Sequence, residues 1–527
     1  MEQHASQEGE RVRSAELVAA LCLATDLGMG FPFEHGLHST LIAARLSERL
    51  GVDRATASQT YYACLLSHAG CTTDAHVASA IFRDSLTTHF NPVMYGSSRE
   101  VLSGLLRAVP EPDRPLPVRA FQMARGLPQI AREQRPHLTA MCEVAGMLAE
   151  SVGVSNVTGL LAFLTDRWDG KGPLGRGKGE QIPLPMRIVH LATDAAFQRL
   201  LGGPELAVRL AHERAGAAFD PEVAACLVEA PNEILAVDER ESAWNETLDR
   251  EPDAPLMLAG EEIDRALGAM GSFADLVSPY FAGHSAAVAE LASAAAERCR
   301  LGAEAETLRR AGLVHDIGRV AVGARTWQNP GPLSPDEWEH VRLHAYHTER
   351  VLSRSPFLAG LAQVAGAHHE RLDGSGYHRG AMGAELPMSA RLLAAADVYH
   401  AMTEPRPHRT ALAPEQAAQE LARESGRLDP DAVMAVIEAA GQPAQPVERP
   451  AGLTEREAEV IGMLARGLQT KEVARALGIS VKTADRHIQN AYRKAGVSTR
   501  AAATLFAMEQ GLVAWGELPI ARPPGRA

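Results

Sequence analysis

Apolar side chains recur at intervals of three or four residues along most of this chain. Val288, Leu291 and Ala295 show the spacing clearly, and so do Leu308 and Ala311. Such spacing places apolar side chains on one face of a helix, whereas a half-buried strand alternates apolar and polar residues. No alternating series stands out, and loops with Gly and Pro separate the periodic stretches. The pattern therefore predicts an all-α fold.

Two stretches interrupt the helical pattern and are predicted to be linkers. The first, 237–255, is acidic, and the second, 441–451, is rich in Pro and Gly. A chain of 527 residues is too long for a single hydrophobic core. The predicted domains are therefore 15–236, 256–440 and 452–515, followed by a tail over 516–527.

The first two predicted domains contain similar segments. RWDGKGPLGRGKGEQIPLPMR at 167–187 aligns without a gap with RLDGSGYHRGAMGAELPMSAR at 371–391, at an offset of 204 residues. Two further pairs of similar segments, in the same order, begin at Phe219 and Leu428 and at Gly36 and Gly283. Repeated similarity in one order predicts a tandem duplication.

The segment 256–440 combines imidazole and carboxylate side chains in a pattern typical of a metal site. The candidate ligands are His284, His315, Asp316, His344, His368, His369 and Asp397. Neutral imidazole and carboxylate suit divalent ions such as Fe, Mn or Zn, and an Asp beside a His can bridge two ions. Two ions about 3.5 to 4 Å apart activate water and neutralise phosphoryl oxygens. We therefore expect two divalent ions and phosphoester hydrolysis.

With LVHDIGR, AHHERLDGSGYH and AAADVYHAM in this order, the segment resembles the HD-GYP family of the HD phosphohydrolase superfamily. The resemblance implies a helical bundle and hydrolysis of a cyclic dinucleotide such as cyclic di-GMP. It implies that one ion is held by His284, His315, Asp316 and Asp397, and the second by His344, His368 and His369, with Asp316 as the bridge. It also implies a substrate loop formed by Asp373, Gly374, Gly376 and Tyr377. Asp316 and Arg319 are the candidate catalytic residues.

Three residues differ from the usual family motifs. His378 stands in place of Pro, Arg319 in place of Lys, and His400 in place of the Asp of DVYDA. Arg319 can still hold a phosphate, through two parallel hydrogen bonds. Tyr280 occupies a position where some relatives carry a Glu that helps to hold a third ion, so we expect two ions. His378 and His400 leave open an alternative, in which the domain binds a nucleotide without hydrolysing it.

The first copy lacks most of the candidate ligands. His38 and His68 align with His284 and His315, but Asp316, His368, His369 and Asp397 align with Ala69, Leu164, Thr165 and Thr193. Too few donors remain there for a cage around two ions. We therefore expect a degenerate copy with a sensory, dimerising or bracing role.

The last predicted domain begins with a capping box, Thr454 and Glu457, and has a second cap at Ser480. Over about 60 residues from Gly452 it resembles the four-helix, LuxR-type helix-turn-helix, which implies binding to double-stranded DNA. On the recognition helix, Val481, Ala484, Ile488 and Ala491 are expected to face inward. The candidate DNA-binding residues are Lys482, Thr483, Arg486, Gln489, Arg493 and Lys494. Because such modules usually bind paired half-sites, we expect a homodimer.

Charge and composition agree with these interpretations. The formal net charge is −13, yet residues 451–512 contain nine Lys or Arg and six Asp or Glu, so the DNA-binding candidate is locally basic. No apolar run reaches the roughly 18 to 20 residues of a membrane span, and no signal peptide is indicated. Six cysteines without a CxxC spacing are expected to be reduced and mostly buried. We expect a cytoplasmic transcriptional regulator with a metal-dependent phosphohydrolase domain.

Overall fold

The computed structural model describes two compact units that are interleaved along the chain. The described residues are 10–71, 95–110, 114–237, 241–443, 445 and 449–513, so the predicted tail over 516–527 lies outside them. The first unit contains the residues up to Ala282 together with 317–337 and 350–359, and the second contains 283–316, 338–349 and the residues from 360 onward. The domain boundaries predicted from the linkers stay a prediction.

Helices dominate the first unit. They are α1 (Ser14–Met29), α2 (His35–Leu50), α3 (Arg54–Leu65), α4 (Ser98–Ala108), α5 (Leu116–Ser151), α6 (Leu184–Arg214), α7 (Pro221–Glu229), α8 (Pro231–Ile234), α9 (Ala243–Asp249), α10 (Glu261–Asp275) and α13 (Ala324–Trp327). The strands β1 (Arg11–Arg13) and β2 (Met257–Ala259) pair in antiparallel register, with Val12 opposite Leu258. The hydrophobic pattern does not indicate these strands, because three residues are too few to show alternation.

The second unit is also helical. Its complete helices are α11 (His284–Arg298), α12 (Gly302–Val314), α16 (Met388–Thr403), α17 (Pro414–Arg423), α18 (Pro430–Ala439), α19 (Glu455–Ala465), α20 (Thr470–Ala476), α21 (Val481–Ala495) and α22 (Arg500–Glu509). Two more helices, α14 (Pro335–Leu352) and α15 (Pro356–Ala365), contain residues of both units. Apart from the short pair β1 and β2, the predicted all-α fold is confirmed.

The helix α11 is central to the bundle of the second unit. It packs against α12, α16 and α18, and Val288, Leu392 and Val433 are buried in their common core. Gly312 lets α12 approach α11 closely, because a Cβ at this position would lie 2.7 Å from the Cα of Ala289. The two helices are joined by only three residues, so the end of α12 lies beside the start of α11.

The predicted duplication is visible as a repeated arrangement inside each unit. A short 3-10 helix, Gly179–Gln181, precedes α6, and its counterpart, Gly383–Glu385, precedes α16. The first residues of α6 and α16 differ by the same offset of 204 residues that the sequence alignment shows. Both copies therefore fold the aligned segment in the same way.

An ion pair repeats in the two copies, and its arginines are 204 residues apart. Arg187 lies 2.6 Å from Asp220, and Arg391 lies 2.9 Å from Asp429. Each aspartate also caps the helix that follows it, α7 in the first copy and α18 in the second. The ion pair therefore joins the start of one helix to the N-terminus of another in both copies.

The C-terminal module forms its four helices as predicted. Thr454 and Glu457 make the capping box of α19, and the side chain of Ser480 caps α21. The helix α21 ends at Ala495 and is capped by Gly496. Gly496 has a φ of 69°, a left-handed conformation that glycine adopts without strain. Its buried residues contact apolar side chains of α19, including Val460.

Two expectations from composition can be compared with the fold. Across the part of the chain that the structure describes, no helix is long and apolar enough to cross a bilayer. All six cysteines are free thiols. Cys22, Cys64, Cys142 and Cys226 are buried, and burial raises the pKa of each of these thiols.

Candidate metal centre and DNA-binding helix

The second unit brings all of the candidate metal ligands together. In chain order they are His284, the first residue of α11; His315 and Asp316, directly after α12; His344, within α14; His368 and His369, after α15; and Asp397, within α16. All of them are buried except His369, which is half-buried. Side chains from five helices or their ends therefore converge on one enclosed place.

Asp316 lies between two groups of ligands. Its Oδ2 is 3.6 Å from Nε2 of His284 and 3.0 Å from Nε2 of His315. Its Oδ1 is 3.3 Å from Nε2 of His344 and 3.5 Å from Nε2 of His368. The carboxylate therefore presents one oxygen atom to each group, as a ligand that bridges two ions does.

The remaining ligands complete these groups. Oδ1 of Asp397 lies 3.2 Å from Nε2 of His284, and its Oδ2 lies 3.8 Å from Nδ1 of His369. One group consists of His284, His315, Asp316 and Asp397, and the other of His344, His368 and His369. Within each group the ligand atoms lie within 4.8 Å of one another, close enough to share an ion.

Backbone carbonyls orient three of the imidazoles. Nδ1 of His315 is 2.7 Å from the carbonyl oxygen of Gly312, and Nδ1 of His368 is 2.6 Å from that of Ala365. Nδ1 of His344 contacts the carbonyl oxygen of Val341 in the same way. Each carbonyl belongs to the residue three positions earlier. Because Nδ1 donates its proton there, Nε2 has a free lone pair directed at Asp316.

A side chain takes the place of the carbonyl at His284. Nδ1 of His284 lies 3.0 Å from Oε2 of Glu404, which follows the last residue of α16. Nδ1 of His400 lies 3.0 Å from the other oxygen of Glu404, and Arg406 lies 2.7 Å from Oε2. His284, His400 and Glu404 form a further group of possible metal ligands.

Glu404 is not among the residues predicted from the sequence, where His400 is only a departure from the family motif. A signal was present nonetheless, because Glu404 follows His400 by four residues, the spacing of neighbours on one helix face. Its contact with a residue 120 positions earlier in the chain depends on the tertiary fold.

The buried environment favours the protonation states that bind metal ions. Burial lowers the pKa of His368, and burial together with His368 and His344 lowers the pKa of His369 well below its ordinary value. Burial opposes ionisation of Asp397, but the nearby imidazoles of His284 and His369 hold its pKa well below the ordinary value. Neutral imidazole and ionised carboxylate are the forms that bind metal ions.

The donor set fits divalent ions of intermediate hardness. Five imidazoles and the carboxylate of Asp397 surround Asp316, and none of these ligands is a thiolate. Imidazole nitrogen and carboxylate oxygen together suit Fe, Mn or Zn. Because Asp316 presents its two oxygens to separate groups, the arrangement fits two ions joined by one carboxylate.

The predicted substrate loop is closely packed against the second ligand group. Oδ1 of Asp373 accepts a hydrogen bond from the backbone nitrogen of Ser375 at 2.9 Å, and Gly374 between them has a φ of 74°. A Cβ at Gly376 would lie 2.5 Å from the Cα of Glu370 and 2.6 Å from the carbonyl oxygen of His369. Only glycine fits there without a shift of the backbone.

Tyr377 lies directly beside a candidate ligand. Its ring stacks on the imidazole of His369, with ring centroids 4.6 Å apart and an angle of 29° between the planes. The next residue, His378, lies 3.1 Å from Glu349, which also pairs with Arg379. The departure from the family at His378 therefore has a carboxylate partner on α14.

Arg319 lies in the first unit, whereas the metal ligands lie in the second. It is buried, its guanidinium lies 4.0 Å from the ring centroid of Phe281, and it is 3.7 Å from Asp275. These contacts hold the cation among aromatic and acidic side chains of its own unit. Its role in binding a phosphate stays a prediction.

Aromatic rings surround the histidines of the first copy. The helix α2 begins at His35, so His35, and not His38, holds the helical position that His284 has in α11. The alignment of His38 with His284 is therefore displaced by three residues. The sequence does not separate the two histidines, because His35 and His38 lie in the same turn of α2. The ring of Phe31 lies 4.6 Å from that of His35 and 5.6 Å from that of His68.

Other polar side chains of the first copy have partners within it. The hydroxyl of Thr193 donates to the carbonyl oxygen of Val189 at 2.9 Å. The next residue, Asp194, lies 3.0 Å from Arg214. Among the residues that the structure describes, no group of possible metal ligands includes a residue of this copy.

The recognition helix α21 exposes most of the candidate DNA-binding side chains. Lys482, Arg486, Gln489 and Arg493 are exposed and Thr483 is half-buried. The predicted inward residues Ala484, Ile488 and Ala491 are buried. Val481 was also expected to face inward, but it is 46% exposed because it is the first residue of the helix, beyond the edge of the core.

Lys494 differs from the other candidate DNA-binding residues. Its Nζ lies 2.7 Å from Oε2 of Glu457 and 2.9 Å from the carbonyl oxygen of Gly452. The lysine therefore joins the end of α21 to the start of α19. Its contact with DNA stays a prediction.

Comparisons with known proteins agree with both halves of this description. The family described as "HD domain" matches residues 270–432, and the family described as "Bacterial regulatory proteins, luxR family" matches residues 451–507. The chain is 30% identical over 408 residues to the 3'3'-cGAMP-specific phosphodiesterase 3 of Vibrio cholerae. This match covers 76% of this chain and 88% of that protein.

Two further comparisons give similar results. The chain is 40% identical over 127 residues to a cyclic di-GMP phosphodiesterase of Thermotoga maritima. This match covers 24% of this chain and 34% of that protein. A crystal structure of a cyclic GMP-AMP specific phosphodiesterase of V. cholerae is similar with a TM-score of 0.57 and 26% identity. That similarity covers 82% of this chain and 98% of the solved chain.

Proposed function

The chain belongs to the HD-GYP family of metal-dependent HD-domain phosphodiesterases and carries a LuxR-type DNA-binding domain, and on this basis we propose that it hydrolyses a cyclic dinucleotide and regulates transcription. The substrate class is that of 3'3'-cGAMP and cyclic di-GMP, on which its relatives act by name. Hydrolysis takes place at the ligand cluster around Asp316, and DNA binding takes place along α21.

The position of Asp316 between two imidazole groups carries the first half of the proposal. Two divalent ions, of Fe, Mn or a similar metal, bound there would activate water and offset the charge of the phosphodiester. His284, His315 and Asp397 would hold one ion, His344, His368 and His369 would hold the other, and Asp316 would be shared.

Three parts of the chain would then orient the substrate. The loop with Asp373, Gly374 and Gly376 brings the backbone close to the second ligand group. The ring of Tyr377, stacked on His369, offers an aromatic face beside the reacting phosphodiester. In the proposal Arg319 supplies a planar cation for a phosphate oxygen.

A hydrolysis assay tests the enzymatic half. The purified full-length chain, supplied with Mn²⁺ or Fe²⁺, is tested on 3'3'-cGAMP and cyclic di-GMP in parallel. Asp316→Asn removes the shared charge and is expected to abolish turnover, whereas Asp336→Asn, the same change at an exposed position of α14, is expected to retain it. Metal-independent turnover, or full activity of Asp316→Asn, would contradict the proposal.

The same assay separates hydrolysis from ligand sensing. A domain that only senses a nucleotide would bind it without releasing a linear product under any metal condition. His378 and His400 motivated this alternative, but each has a carboxylate partner, Glu349 or Glu404, that can keep it in place. Binding without product by the metal-loaded wild-type chain would favour the sensor.

The exposed basic face of α21 carries the second half of the proposal. Arg486 and Gln489 point away from the module core at positions suited to base edges, and Lys482, Thr483 and Arg493 are suited to phosphates. Lys494 is the remaining candidate, and it would have to exchange its contact with Glu457 for a phosphate. Paired half-sites would be read by a homodimer.

Binding of a mixed-sequence DNA duplex at several salt concentrations tests this half. Arg493→Ala, at an exposed position of α21 assigned to a phosphate, is expected to weaken binding and to lessen its dependence on salt. Arg456→Ala removes an exposed arginine of α19, where it pairs with Glu459, and serves as the matched control. Equal losses in both variants would indicate nonspecific attraction to the module and not recognition by α21.

A further inference from the structure

Glu404 occupies a position that no other carboxylate of the metal centre has. It lies behind His284, on the side opposite to the ligand cluster: Nδ1 faces Glu404 at 3.0 Å, while Nε2 faces Asp397 at 3.2 Å. Glu404 follows the last residue of α16, the helix that also carries Asp397. One helix therefore supplies a carboxylate to each nitrogen of the same imidazole.

The place of His284 in its helix explains why a side chain is needed there. His315, His344 and His368 each direct Nδ1 at the carbonyl three residues earlier. His284 is the first residue of α11, and the residue three positions earlier, Phe281, belongs to a separate 3-10 turn that Gly283, with a φ of 80°, divides from the helix. Nδ1 of His284 therefore faces a side chain, Glu404, where the other three imidazoles face a carbonyl. Without another acceptor the imidazole could rotate or carry its proton on Nε2, the nitrogen that has to bind the ion.

We propose that Glu404 is a positioning residue that fixes the ring and tautomer of His284 for metal binding. The side chain of His400 lies beside both groups: its ring centroid is 5.5 Å from that of His284, and its Nδ1 is 3.0 Å from Oε1 of Glu404. The inference rests on the metal-dependent function proposed above.

A third metal ion at His284, His400 and Glu404 is the competing explanation. Their ligand atoms lie close enough together. However, the guanidinium of Arg406 lies 2.7 Å from Oε2 of Glu404, the oxygen that also faces His284. A cation already balances the carboxylate, and a metal ion there would be repelled by it. An ion would also need Nδ1 of His284 deprotonated while Nε2 serves another ion.

The geometry also explains how Glu404 is itself held. Oε2 contacts both His284 and Arg406, and Oε1 lies 3.0 Å from Nδ1 of His400. The carboxylate is therefore held in place by contacts at both of its oxygens.

Titration of the metal-free, full-length chain with Mn²⁺ tests the proposal without any substrate. Wild type is expected to bind two ions. Glu404→Ala is expected to weaken one of the two sites about 10- to 100-fold, the usual effect of losing an orienting partner, and to leave the other unchanged. Glu404→Gln keeps an oxygen acceptor, so its Mn²⁺ affinity at that site should lie between those of wild type and Glu404→Ala. Glu415→Ala, at an exposed position of α17, is the matched control.

A compensating variant gives the sharpest outcome. Adding His400→Asp to Glu404→Ala returns a carboxylate to the position of the family motif, and the double variant is expected to recover most of the lost Mn²⁺ affinity. A general structural role of Glu404 would instead lower the thermal stability of the metal-free chain and would not be rescued.

The other outcomes each decide the question. Wild-type affinity in Glu404→Ala, equal weakening of both sites, or failure of the double variant to recover would overturn the proposal. Three ions in wild type and two in Glu404→Ala would make Glu404 a ligand and not a positioning residue. Two ions bound with no cleavage of either cyclic dinucleotide would instead refute the proposed hydrolysis and leave this inference intact.

Discussion

An imidazole binds an ion only through a nitrogen that carries no proton, so the partner of its other nitrogen decides where the ligand points. In this chain three carbonyls and one carboxylate perform that task. The ligand residues themselves could be predicted from their spacing and motif order. Their orienting partners could not, because Glu404 matters only once His284 is known to begin its helix.

At the residue scale, Tyr377 offers a test of the substrate loop. Tyr377→Ala removes the ring that stacks on His369, and contacts of this kind contribute about 0.5 to 1.5 kcal/mol. We therefore expect kcat/KM for the cyclic dinucleotide to fall about 2- to 10-fold. Tyr377→Phe keeps the ring and should stay close to wild type in the same steady-state assay. Equal losses in both variants would assign the effect to the hydroxyl group.

At the scale of elements, the two copies share a loop, but among the described residues only the second copy has a cluster of candidate metal ligands. Asp166 accepts hydrogen bonds from the backbone of Gly177, and Glu370 accepts from that of Ala381, again 204 residues later. Sequence similarity across a Gly-rich loop was enough to predict this repeat. The strands β1 and β2 were missed because their pairing joins three-residue segments nearly 250 positions apart.

Glycine at the same place in both loops makes a matched pair of variants possible. A Cβ at Gly376 would lie 2.6 Å from the carbonyl oxygen of His369, and one at Gly172 would lie 2.6 Å from that of Thr165. Each substitution by Ala should lower stability by about 1 to 3 kcal/mol through overpacking. Only Gly376→Ala should also reduce hydrolysis, because only there does the backbone carry a metal ligand.

Thermal unfolding and the hydrolysis assay together check this pair. A comparable shift of the melting temperature with hydrolysis lost only in Gly376→Ala agrees with the account. Loss of hydrolysis in Gly172→Ala, at temperatures where the variant is folded, would mean that the first copy takes part in the reaction.

At the scale of the whole molecule, Arg391 links the second copy to the DNA-binding module. It pairs with Asp429 at 2.9 Å and donates to the carbonyl oxygens of Gly383, at 2.9 Å, and Gly511. Gly511 lies two residues after α22, the last helix of the DNA-binding module, and Gly383 follows the substrate loop. The sequence predicted both domains but not this contact, because Arg391 only ends the aligned segment 371–391, and the alignment with the first copy gives it no partner in the DNA-binding module.

Loss of Arg391 is expected to loosen that link. Arg391→Met leaves Asp429 buried without its cation, which costs about 3 to 5 kcal/mol, and removes the donor to Gly511. The segment 441–451 should then be cleaved faster in limited proteolysis. Arg187→Met breaks the equivalent pair with Asp220 and should destabilise the first unit without speeding cleavage there. Equal cleavage rates in both variants would show that Arg391 has no special role in docking.

The number of metal ions bound by the purified full-length chain tests the central claim most directly. We expect two ions per chain by elemental analysis, fewer than two in His315→Ala, and two in His68→Ala, the corresponding histidine of the first copy. Two ions in wild type follow from the two ligand groups around Asp316. Two ions in His68→Ala follow because His68 lies against the ring of Phe31 and not among other ligands. No bound ion in wild type, or an equal loss in both variants, would contradict the account.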